Sequence, residues 1–195
     1  KVVYIGHKGH QEVIGAMSHL PKDSCFLVGS VSDVEGLPIN LEAIFVATQT
    51  TLSVDDTKEI IKALQSKYKN VLLPGAQDIC YATQNRQDAV KELAKVTDYI
   101  LIIGSKNSSN SCRLVEVAKL AGTQAELVPD PYTYKVPKEL YGKIVGVSSG
   151  ASAPEVLVET LLNQLQAPVE ILKLKQENVN FKLPDMGELK RPVLV

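Results

Sequence analysis

Short apolar runs alternate with longer stretches of helical period along most of the chain. Val2–Ile5, Cys25–Val28, Ala43–Ala47, Val71–Leu73, Tyr99–Ile103, Ala125–Val128 and Lys143–Val147 are of strand length. Between most of them, apolar residues recur every three or four positions, as in Ile60, Ile61, Leu64 and Tyr68. Val90, Leu93 and Ala94 form a second such face, and Leu157, Leu161, Leu162 and Leu165 a third. Strands alternating with helices of this length predict an α/β fold with mostly parallel sheets covered by helices. The units fall into two similar small α/β domains, residues 1–76 and 77–166, followed by a C-terminal tail, 167–195. In the tail Val179, Phe181 and Leu183 alternate up to Pro184, the pattern of a half-buried strand in a return segment or edge hairpin. Ser53 with Asp55 and Asp56 predicts a capped helix start, Asn85 is expected to cap the next helix, and Pro154 fits the first turn of the last.

Composition narrows the class. With 45% hydrophobic and 22% charged residues the chain is not disordered. No run reaches the about 18 consecutive apolar residues of a membrane span. Lys and Arg total 21 against 22 Asp and Glu, a net charge of −1, which argues against a nucleic-acid binder. An anionic ligand must therefore be met by local donors. Lys1 leads straight into a strand without a signal peptide, which predicts either a processed protein or a piece of a longer one. Three widely spaced cysteines form neither a disulfide framework nor a zinc pair, and predict a reducing cytoplasm. Cys25 reads as inert within its strand. Cys80 stands in a strand-to-helix connection, Gly75–Thr83, where side chains reach a site.

In open parallel sheets, ligands bind outside the carboxyl ends of the strands. Four loops follow strands in this way: Gly6–Glu12, Thr48–Ser53, Gly104–Ser111 and Ser148–Ala153. All are dense in hydroxyls, amides or glycines, and the first carries two of the three histidines. Ser108–Ser111 opens a helix with Leu114 and Ala118 on its apolar face, so hydroxyls and free N–H groups make an anion site of the phosphate type. Ser152, ahead of Pro154, offers a second. There is no P-loop and no dinucleotide fingerprint, so the expected ligand is a phosphate or diphosphate of a small molecule. His10 and Glu12 supply acid–base capacity. Lys106 fits either solvent or a phosphate, and His19 follows no strand.

At these residues the sequence resembles the LytB family of 4-hydroxy-3-methylbut-2-enyl diphosphate reductases. The resemblance rests on Gly6-His7-Lys8-Gly9-His10-Gln11-Glu12, on Thr48 to Thr57, on Asp78 to Gln87, on Gly104 to Ser111 and on Gly150-Ala151-Ser152-Ala153-Pro154. It implies three similar α/β domains around a [4Fe–4S] cluster held by three cysteines, of which Cys80 matches one. It implies that the substrate's hydroxymethyl oxygen meets the open iron, and that two electrons and protons then yield isopentenyl and dimethylallyl diphosphate. Glu12 matches the acid of the proton relay, Thr50 a threonine bonded into it, and His10 a histidine beside the substrate. Ser108, Ser109, Asn110 and Ser152 match diphosphate-binding residues, and Thr83 a polar residue lining the cluster loop. Ferredoxin or flavodoxin is the implied electron donor. The family's first domain, with two further cluster cysteines and two histidines, has no counterpart here, and Cys25 and Cys112 match no ligand motif. The resemblance thus covers a carboxyl-terminal two-thirds whose activity requires the missing N-terminal domain. The alternative is a diphosphate-binding module without redox activity.

Overall fold

The structure is a computed structural model that describes residues 1–73 and 81–172. Its first half runs β1 (Val2–Ile5), α1 (Gln11–Ser18), β2 (Cys25–Val28), α2 (Val31–Glu35), β3 (Ile44–Thr48), α3 (Val54–Lys67) and β4 (Val71–Leu72). The strands form one sheet in the order β2-β1-β3-β4, all pairs parallel. The second half runs α4 (Tyr81–Ala94), β5 (Tyr99–Ile103), α5 (Ser109–Leu120), β6 (Gln124–Val128), a 3-10 turn (Lys138–Leu140), β7 (Val145–Ser149) and α6 (Glu155–Leu165). Its sheet has the order β6-β5-β7, again parallel throughout. The α/β architecture with two helix-covered parallel sheets is as the pattern predicts.

Burial explains why these elements form. Val3, Ile5, Val28, Ile44 and Val46 point to one face of the first sheet and pack on Leu52, Ile60, Leu64 and Tyr68. The predicted face of α3 is thus its core face. In the second sheet β5 is buried on both sides. Ile100 and Ile102 pack with Val90, Leu114 and Ala118, whereas Leu101 and Ile103 pack with Val128, Leu140 and Leu161. The period of two sends alternate residues to opposite helix layers, which is why this strand is continuously apolar.

Several local expectations are corrected. Asn85 does not cap α4 but lies inside it. Thr83, Gln87 and Val90 form one buried face, so the helix extends back to Tyr81. Pro154 is the N-cap of α6, with extended ψ of 140°, rather than a first-turn residue. The last strand lies two residues later than 143–147. The Ile144 N–H donates to the Asp98 carboxylate, and the ladder then runs on until Ser148 and Ser149 pair with Ile102 and Ile103. Residues 167–172 are neither helix nor strand. The boundary placed at 76/77, Cys80, and the strand pattern Val179–Leu183 lie outside the described residues.

Both sheets place their first strand in the middle, with the second on one side and the third on the other. This opens a crevice where the order reverses, between the loops that follow β1 and β3 and between those that follow β5 and β7. The four loops singled out from sequence are the loops of these two switch points. No helix among the described residues is long and apolar enough to cross a membrane.

Candidate functional site

At the first switch point, His10 is the N-cap of α1, and its Nδ1 accepts the Glu12 N–H at 3.2 Å. In the neutral ring the proton therefore sits on Nε2. Nε2 lies 2.6 Å from Ser109 Oγ, on the loop of the other sheet, and donates to it. The Glu12 carboxylate turns the other way. It accepts the Thr50 N–H at 2.9 Å and the Thr50 hydroxyl at 3.2 Å, so the acid and threonine named from sequence form one bonded pair. Gln49 sits beneath both loops and is fully buried. Its Oε1 accepts the His7 N–H at 3.1 Å, and its Nε2 donates to Thr51 Oγ1 at 3.0 Å. A buried amide that satisfies one group on each loop sets their spacing, because leaving either unpaired would cost about 1–3 kcal/mol.

The second switch point is built differently. Ser108 caps α5, and its Oγ accepts both the Ser111 N–H at 3.3 Å and the Ser111 hydroxyl at 3.0 Å. Ser111 is buried against two glycines. A Cβ on Gly104 would stand 2.1 Å from Ser111 Oγ, and one on Gly150 2.3 Å. Both glycines are needed because backbone closes directly on this hydroxyl. Asn110 is buried, and its Oδ1 has no hydrogen-bond partner among the described residues. That oxygen only accepts, so what the loop offers an anion is the Ser109 hydroxyl and a helix N-terminus. Ser152 is exposed and lies three residues before α6, whose start has no side-chain cap.

The two sites face each other, and side chains the sequence reading passed over hold them so. Arg113, on α5 and only 13% exposed, reaches His7 Nε2 at 3.0 Å, Glu116 at 2.7 Å and Asp56 at 3.6 Å. Its charge and burial of the His7 ring hold the His7 pKa below the usual imidazole value, burial contributing more. Gln87 of α4 is fully buried. It accepts the Val54 N–H at 3.2 Å and donates to Leu52 O at 2.8 Å, which joins α4 to the loop behind Thr50. Lys91 and Asp55 add an exposed ion pair. Between the halves lies a cleft of about 220 Å³, lined by His7, Gln49, Thr51, Lys106, Ser109 and Arg113 among others. Lys106 therefore borders the site. Arg113 and Gln87 lie inside helices, where no local pattern distinguishes a cross-sheet contact from a solvated side chain. Gln49 lies inside a loop already singled out, and its large amide among hydroxyls is the signal that could have identified it.

The described residues do not supply the ligand set of an iron–sulfur cluster. Among them no group of three or more His, Cys, Asp or Glu could hold a metal. Cys25 opens β2, at the end of the first sheet opposite the loops. The Cys112 thiol donates to the Lys106 carbonyl at 3.3 Å. Thr83 is buried in the first turn of α4, close in sequence to Cys80, which lies outside the described residues.

Comparison with known proteins gives the chain a family and the fold a counterpart. A family model described as LytB protein matches residues 1–166. The 4-hydroxy-3-methylbut-2-enyl diphosphate reductase of Haemophilus influenzae (strain PittEE) is 44% identical over 191 residues, covering 94% of this chain and 61% of that protein. A 4-hydroxy-3-methylbut-2-enyl diphosphate reductase 2 of Bradyrhizobium diazoefficiens is 43% identical over 188 residues, with the same coverage of 94% and 61%. The solved structure of the E-1-hydroxy-2-methyl-but-2-enyl-4-diphosphate reductase from Plasmodium falciparum superposes with a TM-score of 0.84 at 32% identity. It covers 94% of this chain and 59% of that one. The chain thus spans about 61% of the length of the curated relatives it matches.

Proposed function

The chain belongs to the LytB family, and from that premise we propose that it forms the diphosphate-binding and proton-delivering part of a 4-hydroxy-3-methylbut-2-enyl diphosphate reductase. The observation that carries this reading is the juxtaposition of the Glu12–Thr50 pair with the serine loop, spanned by the His10–Ser109 hydrogen bond. A diphosphate in the crevice takes the Ser109 hydroxyl, the Asn110 amide and the first N–H groups of α5, with Ser108 shaping the helix start and Ser152 contributing from the loop after β7. His10 donates through Nε2, and an anion there replaces Ser109 as its acceptor. The hydroxymethyl end of the substrate then lies toward Glu12. Thr50 keeps the carboxyl oriented so that its proton reaches the departing oxygen, which avoids expelling hydroxide.

Reductive loss of that oxygen also needs electrons, and the described residues hold no group that supplies them. The resemblance assigns Cys80 as one ligand of a [4Fe–4S] cluster with ferredoxin or flavodoxin as donor, so activity requires further ligands from the part of the relatives this chain does not span. Calorimetry with isopentenyl diphosphate tests the binding claim: saturable heat is expected, and none at millimolar ligand overturns it. Reconstitution with iron and sulfide tests the second claim. Full cluster content and turnover by this chain alone would overturn the need for a further domain. Binding without turnover after that domain is supplied would favour a binding module without redox chemistry.

A further inference from the structure

We propose that His7 is a positioning residue: as a neutral acceptor for Arg113 it locks the proton-delivery loop against the serine loop, and protonation of its ring releases that lock. The proposal rests on the reading of the site given above and extends it to a group that reading does not use.

The geometry makes His7 a hub. Its backbone N–H is held by the fully buried Gln49 at 3.1 Å. Its carbonyl accepts the His10 N–H at 3.1 Å, so the placement of His7 fixes the turn that presents His10. Its ring Nε2 faces the Arg113 guanidinium at 3.0 Å. Arg113 lies three residues beyond Asn110 on α5, and its other nitrogen faces Asp56, in the first turn of α3 just past the Thr50 loop. One poorly exposed guanidinium therefore touches all three segments that build the site.

This contact depends on the protonation state of the ring. Arg113 has only N–H donors, so Nε2 must offer its lone pair and the neutral proton must sit on Nδ1. A proton on Nε2 would set donor against donor and cation against cation. The charged groups around the ring are Arg113 and Glu116 from α5, Asp56 from α3, His10 from its own loop, and Lys106 across the cleft. Glu116 and Asp56 favour the imidazolium, but both already face Arg113. Burial and Arg113 keep the His7 pKa below its ordinary value. The lock is therefore closed at neutral pH and lost as pH falls through that lowered value.

The test follows the amide resonances of Ser109, Asn110 and Ser111 in this chain by NMR from neutral to acidic pH. His7→Gln offers a side-chain oxygen that can accept from Arg113 but cannot titrate. It should keep the neutral-pH resonances near wild type and remove one titration step, a step that His10→Gln retains. Arg113→Gln should remove the same step even though the His7 ring, followed directly, still titrates and does so at higher pH. Persistence of the step in either His7→Gln or Arg113→Gln overturns the proposal, so one folded variant is sufficient. Inorganic diphosphate binding gives a second readout. Wild-type affinity should fall several-fold relative to His7→Gln on acidification, and a constant ratio overturns the coupling. Absence of diphosphate binding at every pH would instead refute the anion-site reading, and the amide titration would still decide the lock.

Discussion

The two switch points share a topology and differ in nearly everything that does chemistry. The crevice after β1 and β3 carries groups that change charge, and they are bonded to one another: Glu12 to Thr50, His10 to the backbone of Glu12. The crevice after β5 and β7 carries small hydroxyls, a buried amide and glycines packed on Ser111. On the proposed reading, one sheet edge moves protons and the other receives a fixed negative charge. The division is physically sensible. Once Glu12 gives up its proton its carboxylate is negative, and a diphosphate held too close would repel it. Placing the anion on a second sheet keeps the two apart while hydrogen bonds, His10 to Ser109 and Arg113 to His7, join them.

The largest effect that could break this division is expected at Glu12. In an intact reductase, Glu12→Gln should lower turnover about 10²–10⁴-fold, the usual span for loss of a positioned acid. Diphosphate binding should change little, because the variant keeps an acceptor for the Thr50 N–H and leaves the serine loop untouched. Steady-state kinetics with a separate binding isotherm would decide. An equal loss of both would make Glu12 part of the anion site and erase the contrast between the two edges.

Next in size is the packing of the second edge. Gly104→Ala drives a methyl group into Ser111 Oγ at 2.1 Å, and the hydroxyl cannot swing away without losing its bond to Ser108. Overpacking of this kind costs about 1–3 kcal/mol and should appear as a lower urea midpoint and weaker diphosphate binding. If the midpoint falls while diphosphate affinity holds, Ser111 supports the fold alone and the cradle does not depend on it.

Much of this arrangement was legible in the chain itself, and the parts that were not share a cause. Strand positions, apart from the two-residue shift of the last, and the core faces of α3, α4 and α6 follow from local periodicity, and the four loops follow from the rule that parallel sheets bind ligands at their carboxyl ends. The resemblance ties Thr50 into the relay of Glu12, and the structure bonds the two side chains directly. What local spacing does not encode is contact between elements. Arg113, Gln87 and Gln49 act through side chains that reach another element, and no spacing along the sequence encodes that reach. The cap expected at Asn85 fails for the same reason: the buried face formed by Thr83, Gln87 and Val90 carries α4 past it.

Gln87 is the better measure of how the halves are joined. Gln87→Ala leaves the Val54 N–H and the Leu52 carbonyl without their buried partner, a loss of about 1–3 kcal/mol. Chemical denaturation should register it as a lower midpoint, and an unchanged midpoint would mean that water or a shifted α3 start replaces the amide. The start of α3 follows directly from the Thr50 loop. The same variant should therefore loosen the Glu12–Thr50 pair more than it disturbs the serine loop, which amide exchange at Thr50 and at Ser111 can compare.

The smallest effect is expected at the ion pair beside it. Lys91 and Asp55 span the same two elements as Gln87, yet their side chains are 34% and 61% exposed. Water and salt screen such a pair, so Lys91→Met should change stability by about 0–1 kcal/mol, with a difference that shrinks further as salt is added. Asp55→Asn should cost somewhat more than Lys91→Met, because Asp55 also stands in the first turn of α3, where a negative charge meets the helix dipole for about 0.3–1 kcal/mol. The two variants, measured by denaturation at low and high salt, separate the contribution of the bridge from that of the helix start. A loss at Lys91 as large as that at Gln87 would mean that exposed charge, rather than the buried amide, holds the first sheet's edge against the second's.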